Sequence, residues 1–237
     1  MTLQPLRVVA ETPAGFGAAD PWSPAIDAVL AYWVLREQLG EERFALGGTG
    51  HVPLVQAELP LARETHGDWW WWQASSPIVA AVGEHRRYFH RRFDLAEAVA
   101  HDAIRKVETK AGPYKAYRNT VRLVLTPTVT WHAIGDLDAV RALLARVMAI
   151  GAKIGQGCGR VVRWRVTADG DPGLARFHRP IPLDFAELHG RTGVRLRWGL
   201  RPPCRAPEHQ TLCVMPGDDD GDSTEADKGQ GRQGWGR

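Results

Sequence analysis

One segment of the chain combines closely spaced glycines with positive charge, and that combination is suited to binding phosphate groups. Gly151, Gly155, Gly157 and Gly159 fall within nine residues, between a predicted helix and a predicted strand. Residues 139–165 contain six bases and no acid. Backbone amides that side chains leave uncovered, together with nearby cations, can satisfy anionic oxygens without distinguishing one base from another. A simpler interpretation is a tight turn that needs positive φ angles.

Two common nucleotide-binding motifs do not fit this glycine loop, residues 151–160. The dinucleotide-binding fingerprint requires a strand first, with the glycines opening a helix, whereas here a predicted helix precedes the glycines. A Walker loop requires Gly-Lys followed by Ser or Thr, and this tripeptide does not occur in the chain. Contact with a phosphate backbone and a structural turn remain as the two interpretations.

A second segment, HRRYFHRRF at residues 85–93, interleaves cations with aromatic rings. Arginines neutralise phosphates, and Tyr88 or Phe89 can stack on an unpaired base, a contact worth about 1–3 kcal/mol per base. The alternative is a solvated helix face on which Phe89 and Phe93, four residues apart, pack inward. We expect a combination, in which the phenylalanines are structural and the arginines and Tyr88 are available for binding.

The cysteines predict neither a zinc site nor a disulfide framework. Cys204, His209 and Cys213 fall within ten residues and Cys158 lies in the glycine loop, but this spacing is neither CxxC nor HxxxH. Three cysteines, an odd number without a CxxC pair, favour a reducing compartment. We therefore expect no metal and no cofactor.

The elements that must position these segments follow the order strand, helix, strand, strand, helix, strand. This βαββαβ arrangement is the ferredoxin-like fold, which is also the fold of the RNA-recognition motif, and it predicts an α+β protein. The predicted strands are residues 6–10, 52–61, 121–134 and 161–166, and the predicted helices are residues 23–40 and 137–150.

Two further segments lie outside this core. Residues 84–118 carry nine bases and five acids, and we expect them to form an inserted basic thumb. Residues 171–205 predict a C-terminal β-hairpin, with PIPLDF and GVRLRWGL as its arms. Residues 1–215 would thus form a single domain.

Four consecutive tryptophans, Trp69 to Trp72, predict an extended segment with two indoles on each face. We expect one pair to fill the core and the other pair to be exposed. The exposed pair suits an interface with another protein, where tryptophan is enriched. A β-hairpin that covers one face of the sheet is the alternative.

The net charge of +3 conceals an uneven distribution. Residues 217–237 contain six acids and three bases, which leaves +6 for residues 1–216. We expect residues 216–237 to form a disordered acidic tail, and the basic body favours a polyanionic partner. No run of 18 apolar residues and no signal-peptide pattern occur, so we expect a cytoplasmic protein without membrane contact.

Three stretches of the sequence, taken with the glycine loop, resemble a known family. They are PWSPAIDAVLAYWVL, PLARETHGDWWWWQASSP and VTWHAIGDLDAVRALLARVMAIGAKIGQGCGRVVRWRV. The order of helix, glycine-rich loop and strand is similar to the signature of the repeat-associated (RAMP) superfamily of CRISPR proteins. The combination resembles the type IV "Cas five" subunit over residues 6–205, everything except the tail.

The resemblance implies a non-catalytic RNA-binding subunit of a ribonucleoprotein complex for antiviral defence. Such subunits bind the repeat-derived 5′ handle of crRNA, cap the backbone filament and contact the large subunit near the flanking motif (PAM) of the target DNA. Guide RNA then supplies sequence specificity by base pairing. The residues expected to bind RNA are Arg86, Arg87, Tyr88, Arg91, Arg92, Lys115, Lys153, Gly155, Gln156, Gly157, Gly159 and Arg160.

Some "Cas five" proteins cut repeat RNA without a metal, and this is the alternative function. The reaction needs a base that activates the 2′-hydroxyl and a cation at the scissile phosphate. His85, His90, Tyr88 and Lys115 are the candidates, although no spacing pairs either histidine with a partner. We expect no catalytic residues.

Overall fold

The computed structural model describes residues 2–46, 55–91 and 117–217, and within them the chain is a mixed α/β protein. The strands are β1 (Leu3–Glu11), β2 (Phe16–Ala18), β3 (Arg63–His66), β4 (Trp69–Trp72), β5 (Gly83–Arg91), β6 (Tyr117–Leu125), β7 (Thr128–Asp136), β8 (Arg163–Thr167), β9 (Ile181–Pro182), β10 (Arg195–Gly199) and β11 (Gln210–Val214). The α-helices are α1 (Ile26–Leu46), α2 (Leu137–Leu144), α3 (Pro172–Phe177) and α4 (Leu183–Leu188).

The main sheet has the strand order β7-β1-β8, and both neighbours are antiparallel to β1. Leu6, Val8 and Ala10 alternate along β1 and are fully buried, because every second side chain of a strand points to the same face. With Ile26 and Leu30 of α1 and Val140 of α2 they form the main core. β1, α1, β7, α2 and β8 follow one another in the order predicted for five of the six elements, and the sixth, the strand predicted at residues 52–61, is not among them.

The prediction of one long strand over residues 121–134 is wrong, because the chain there forms two strands in different sheets. Leu125 ends β6 in a sheet of order β2-β6-β5, and Thr128 begins β7 in the main sheet. Pro127 lies between them and has no N–H for a strand ladder. Its carbonyl instead accepts a hydrogen bond from the Thr12 amide at 2.8 Å.

The strand predicted over residues 52–61 is not regular in its described part. Residues 55–60 belong to no strand or helix, and residues 52–54 lie outside the described residues. The chain nevertheless runs beside β7, where the Ala62 amide donates to the Ile134 carbonyl at 2.7 Å and the Asp136 amide donates to the Pro60 carbonyl at 2.9 Å. Ala74 and Ile78 continue this edge as isolated bridges to β7.

Both predicted helices are present with different ends. Helix α1 begins at Ile26 and is interrupted at Gly40, whose φ of 72° is not helical, so the predicted break at this glycine is confirmed. Helix α2 ends at Leu144 rather than at residue 150, because the amides of Arg146 and Val147 donate only three residues back, to the Leu143 and Leu144 carbonyls, in place of the α-helical pattern. No helix in the described ranges is long and apolar enough to cross a membrane.

The predicted hairpin within residues 171–205 is wrong. Strand β10 pairs with β11, which follows it, and β9 pairs with the other edge of β11. The second half of the arm PIPLDF belongs to helix α4, which directs Phe185 into a second core against Trp71, at a ring-centroid distance of 5.0 Å. Cys213 and Met215 complete this core.

The four tryptophans of β4 lie between the two cores. Trp71 is fully buried in the second core, whereas Trp72 is buried in the main core. Trp69 packs against the second core and Trp70 against the main core. The expected alternation is confirmed, but the expected exposed pair is wrong, because the other face of the β3–β4 hairpin is covered by the C-terminal part of the same chain.

A buried ion pair, Asp27 with Arg179, links the two cores. Both side chains are 3% exposed, and a guanidinium nitrogen lies 3.4 Å from the carboxylate. Burial raises the pKa of Asp27, and the Arg179 charge opposes that shift. Arg179 also donates to the carbonyls of Ala74, at 2.9 Å, and Leu200, at 2.6 Å, and to the Trp72 carbonyl.

Arg179→Met should destabilise the protein by about 3–5 kcal/mol, because it leaves Asp27 and three carbonyls buried without their donor. Equilibrium unfolding in urea measures this loss. Arg7→Met is the matched control, since Arg7 forms an exposed ion pair with Asp169 at 2.6 Å. The control should cost about 1 kcal/mol or less. Equal losses in the two variants would contradict the linking role of Arg179.

His132 is a buried group on β7 whose protonation should disturb the main sheet. It is 9% exposed, and burial lowers its pKa. Its Nδ1 accepts a hydrogen bond from the Asp171 amide at 2.8 Å, at the N-terminus of α3. A protonated Nδ1 carries a hydrogen and cannot accept this bond.

The stability that neutral His132 provides should be complete above the ordinary histidine pKa and should decrease as the pH falls through that value, because the unfolded chain then binds more protons. We expect the free energy of unfolding in urea to fall between about pH 7 and pH 5.5, and to fall less in His132→Ala. Thr130→Ala, two residues away on β7, should retain the wild-type difference. An identical pH dependence in both variants would contradict this assignment.

Candidate nucleic-acid interface

The basic segment around residue 88 is a strand, so its side chains divide between two faces of the β5–β6 hairpin. Strand β5 pairs with β6 in the register Arg87 to Val121 and Phe89 to Asn119. The helical alternative is therefore wrong for residues 83–91. One face, here called the loop face, carries His85, Arg87, Phe89, Asn119, Val121 and Leu123. The other, here called the Arg86 face, carries Glu84, Arg86, Tyr88, His90, Arg118, Thr120, Arg122 and Val124.

The glycine loop packs against the loop face of the hairpin. Cys158 of the loop is buried with Val121 and Leu123 in a small separate core, and Phe89 packs against that core. This apolar contact explains why two segments about 60 residues apart in the sequence form one surface.

Two cations of this surface lie near the same aromatic ring. The Lys153 ammonium is 5.6 Å from the centre of the Phe89 ring, and the Arg87 guanidinium carbon is 5.3 Å from it. Lys153 has a φ of 62°, which is uncommon for a residue with a side chain. The structure thus brings together Arg87 and Lys153, two of the residues that the sequence predicted to bind RNA.

The glycines of the loop differ in what the fold requires of them. A Cβ on Gly159 would lie 1.8 Å from the Ile150 carbonyl oxygen, and one on Gly151 would lie 2.4 Å from the Gly17 carbonyl oxygen. Gly157 has a φ of 81°. At Gly155 a Cβ would meet no atom within 4 Å. The turn interpretation therefore applies to three of these glycines, and Gly155 has no steric reason to be glycine.

Half of the loop amides are satisfied inside the protein. The amides of Gln156 and Gly157 donate to the Lys153 and Ile154 carbonyls at 2.9 and 3.0 Å. The Gly159 amide donates to the Gly15 carbonyl at 3.2 Å. Five loop amides have no backbone acceptor within the described residues, and they are those of Gly151, Lys153, Ile154, Gly155 and Arg160. Fewer amides are therefore available to phosphates than the sequence suggested.

Of the other predicted residues, two lie on the opposite face of the hairpin. Arg86 and the 45%-exposed Tyr88 lie on the Arg86 face, away from the loop. Arg160 is exposed and pairs with Ala149 in an isolated bridge. Arg91 ends β5, and Arg92 and Lys115 lie outside the described residues.

Arg118 is a site residue that the sequence analysis did not select. Its guanidinium carbon lies 3.8 Å from the centre of the Tyr88 ring, on the Arg86 face. On the same face Arg122 forms an ion pair with Glu84, which lowers the pKa of that carboxyl group. The pairing register of the hairpin creates these contacts across residues far apart in sequence, and local spacing contains no signal for it.

The two histidines considered for catalysis lie on opposite faces of β5, His85 on the loop face and His90 on the Arg86 face. Five residues of extended strand separate them by about 16 Å. They therefore cannot act together on one phosphate.

In the segment that contains Cys204, His209 and Cys213, burial and contacts with backbone carbonyls account for the positions of the side chains. Cys213 is fully buried, and burial raises the pKa of its thiol to about 12. His209 Nδ1 lies 3.1 Å from the Arg201 carbonyl oxygen and 3.2 Å from that of Pro203. The described ranges contain no group of three or more His, Cys, Asp and Glu side chains that could hold a metal ion.

One comparison with known proteins identifies a family. The family model described as CRISPR type IV associated protein Csf3 matches residues 4–216. The match includes the β5–β6 hairpin and the glycine loop, and it stops before the acidic tail. No curated protein sequence matches the chain.

Gly159→Ala should lower the melting temperature strongly, because the new methyl group would overlap the Ile150 carbonyl at a φ of 71°. Gly155→Ala should leave the melting temperature unchanged or slightly higher, since alanine reduces the entropy of the unfolded chain. Thermal denaturation followed by circular dichroism compares the two. A large loss in Gly155→Ala would show that the loop packs differently.

Proposed function

The chain belongs to the family of the CRISPR type IV associated protein Csf3, and on that premise we propose that it is a non-catalytic subunit of a type IV CRISPR ribonucleoprotein effector complex. In this proposal it binds the repeat-derived 5′ handle of crRNA. The resemblance to the "Cas five" subunit of the RAMP superfamily adds two roles, capping of the backbone filament and positioning of the large subunit for PAM recognition.

The arrangement of the main sheet supports a ferredoxin-like core. Strand β1 lies between β7 and β8, and helices α1 and α2 pack on one side of the sheet. On either side of the β3–β4 hairpin, Leu61, Ala74 and Ile78 bridge to β7, where a ferredoxin-like core requires its fourth strand. In this interpretation the β3–β4 hairpin is an excursion from that strand, and the β5–β6 hairpin is the base of the thumb.

The observation that carries the proposal is the contact of Lys153 and Arg87 with Phe89. Two segments selected separately from the sequence, each for its positive charge, meet on one exposed surface. Cations arranged around a partly buried ring can neutralise successive phosphates of a single strand. Because the guide pairs with its target through its bases, a subunit that holds the backbone does not interfere with that pairing.

The Arg86 face would add a stacking contact for the same RNA. Tyr88 is exposed, and Arg118 covers its ring. Guanidinium and aromatic planes both stack on unpaired bases, whatever the base. An RNA strand that passes over the hairpin could therefore contact both faces.

The alternative function, metal-independent cleavage of repeat RNA, receives no support from a histidine pair. His85 and His90 lie on opposite faces of β5, so one cannot act as base and the other as acid on the same phosphate. We therefore propose that the chain holds RNA without cutting it.

Binding of labelled repeat RNA, measured by fluorescence anisotropy in EDTA at two salt concentrations, tests the proposal. Wild-type protein should bind, with an affinity that falls as salt increases. Arg87→Gln combined with Lys153→Gln should reduce the slope of log K against log salt by about 1.4, since each phosphate contact with a single strand contributes about 0.7.

Arg197→Gln is the matched control, because Arg197 is an exposed strand arginine in the C-terminal sheet. It should retain wild-type affinity and slope. The same samples on a denaturing gel should contain intact RNA. Equal slopes in the control and the double variant would contradict the proposed surface, and cleaved RNA would establish the nuclease function instead.

A further inference from the structure

The acidic tail leaves the folded part of the chain at a defined place. The Met215 amide donates to the Val194 carbonyl at 2.8 Å, and the Met215 side chain is buried in the second core. The Trp22 indole donates to the Pro216 carbonyl at 3.2 Å. These contacts fix the backbone as far as Pro216, two residues before the first acid of the tail.

That place adjoins the Arg86 face of the hairpin. Pro216 and Gly217 line a cavity of about 250 Å³ together with Glu84 and Arg122. Glu84 and Arg122 lie at the end of the Arg86 face closest to the body of the protein. Gly217, the last described residue before the acids, therefore lies next to the basic hairpin.

The Arg86 face has positive charge that is not neutralised on the face itself. Glu84 is the only carboxylate that β5 and β6 contribute to it within the described residues, and it is bonded to Arg122. Arg86 and Arg118 have no carboxylate partner among the described residues of this face. The exposed ring of Tyr88 lies at the strand position between Arg86 and the pair formed by His90 and Arg118.

The acids of the tail are close enough to reach these arginines. Asp218, Asp219, Asp220 and Asp222 are within five residues of Gly217. Five extended residues span about 17 Å. Arg118 lies four strand residues beyond Arg122, a distance of about 13 Å. The family match ends at residue 216, so the hairpin lies within the matched residues and the tail lies outside them.

We propose that the acidic tail, residues 218–227, binds the Arg86 face of its own chain and competes there with the phosphates of the RNA handle. The docking itself does not depend on the proposed function, whereas its effect on RNA rests on it. Handle RNA, with more negative charges than the tail, displaces it, and weaker polyanions do not. The tail thus reduces the binding of weak polyanions to the RNA-binding surface more than it reduces the binding of handle RNA.

Tethering makes a weak contact effective. A tether of a few residues corresponds to an effective concentration of about 1 mM, so a tail that binds in trans with a Kd of about 0.1 mM would occupy the face in about nine of ten molecules. RNA binding would then be weakened about tenfold wherever the two compete.

The first experiment needs no RNA. In the full chain the six acids of the tail are changed to amides: Asp218→Asn, Asp219→Asn, Asp220→Asn, Asp222→Asn, Glu225→Gln and Asp227→Asn. A fluorescein-labelled peptide of residues 217–237 is then titrated with this protein at low and high salt. We expect salt-sensitive binding that Arg86→Gln with Arg118→Gln weakens at least fivefold and that Arg195→Gln with Arg197→Gln leaves unchanged.

Absence of peptide binding would overturn the proposal, and so would binding that is insensitive to Arg86→Gln with Arg118→Gln, because the peptide would then occupy another basic surface. Melting curves establish that each variant is folded. Since every substituted side chain is exposed or lies in the tail, we expect the curves to superimpose on that of the wild type.

The second experiment measures handle RNA. The amide-tail protein should bind about tenfold more tightly than wild type at low salt, and the difference should shrink at high salt. Lys228→Gln with Arg232→Gln is the matched control, since it makes the tail more acidic and should weaken RNA binding. Peptide binding without any effect on RNA affinity would overturn the competition, and absence of RNA binding in every variant would overturn the proposed function while the peptide result stands.

Discussion

The buried guanidinium of Arg179 is the interaction on which the arrangement of the two cores depends. It is paired with the Asp27 carboxylate on α1. It also donates to the carbonyls of Trp72 and Ala74, at and just after the end of β4, and to the carbonyl of Leu200, which directly follows β10. A charge at this depth is tolerated only when hydrogen bonds and an opposite charge compensate for lost water. Because every partner must stay within hydrogen-bond distance of one guanidinium group, the positions of α1, the end of β4 and Leu200 are fixed relative to one another.

The candidate interface is attached to the main core through β2. The glycine loop follows α2, and its backbone is bonded to Gly17 of β2 and to Gly15, which directly precedes β2. Strand β2 in turn pairs with β6, the inner strand of the hairpin. A continuous ladder of backbone bonds therefore runs from the main core to the cationic surface, so Lys153 and Arg87 are positioned by the scaffold rather than by their own side chains.

Much of the core could be predicted from sequence because its signals are local. The alternation of β1, the periodicity of α1 and α2 and the break at Gly40 depend on neighbouring residues only. The failures come from pairing between distant segments. Nothing close to residue 88 indicates that Asn119 lies opposite Phe89, and that register decides which arginines share a face. Likewise Gly159 is needed because of the Ile150 backbone, a contact between the two ends of the loop that its sequence alone does not reveal.

The hairpin of tryptophans has a further consequence for how the chain tolerates change. Trp71 and Trp72 are neighbours in sequence, yet each fills a different core. A shift of β4 by one residue would exchange the environments of all four indoles at once, because side chains alternate strictly along a strand. A single-residue insertion or deletion within β4 would therefore disrupt the packing of both cores at once. The register of this one short strand thus couples the packing of the main core to that of the second core.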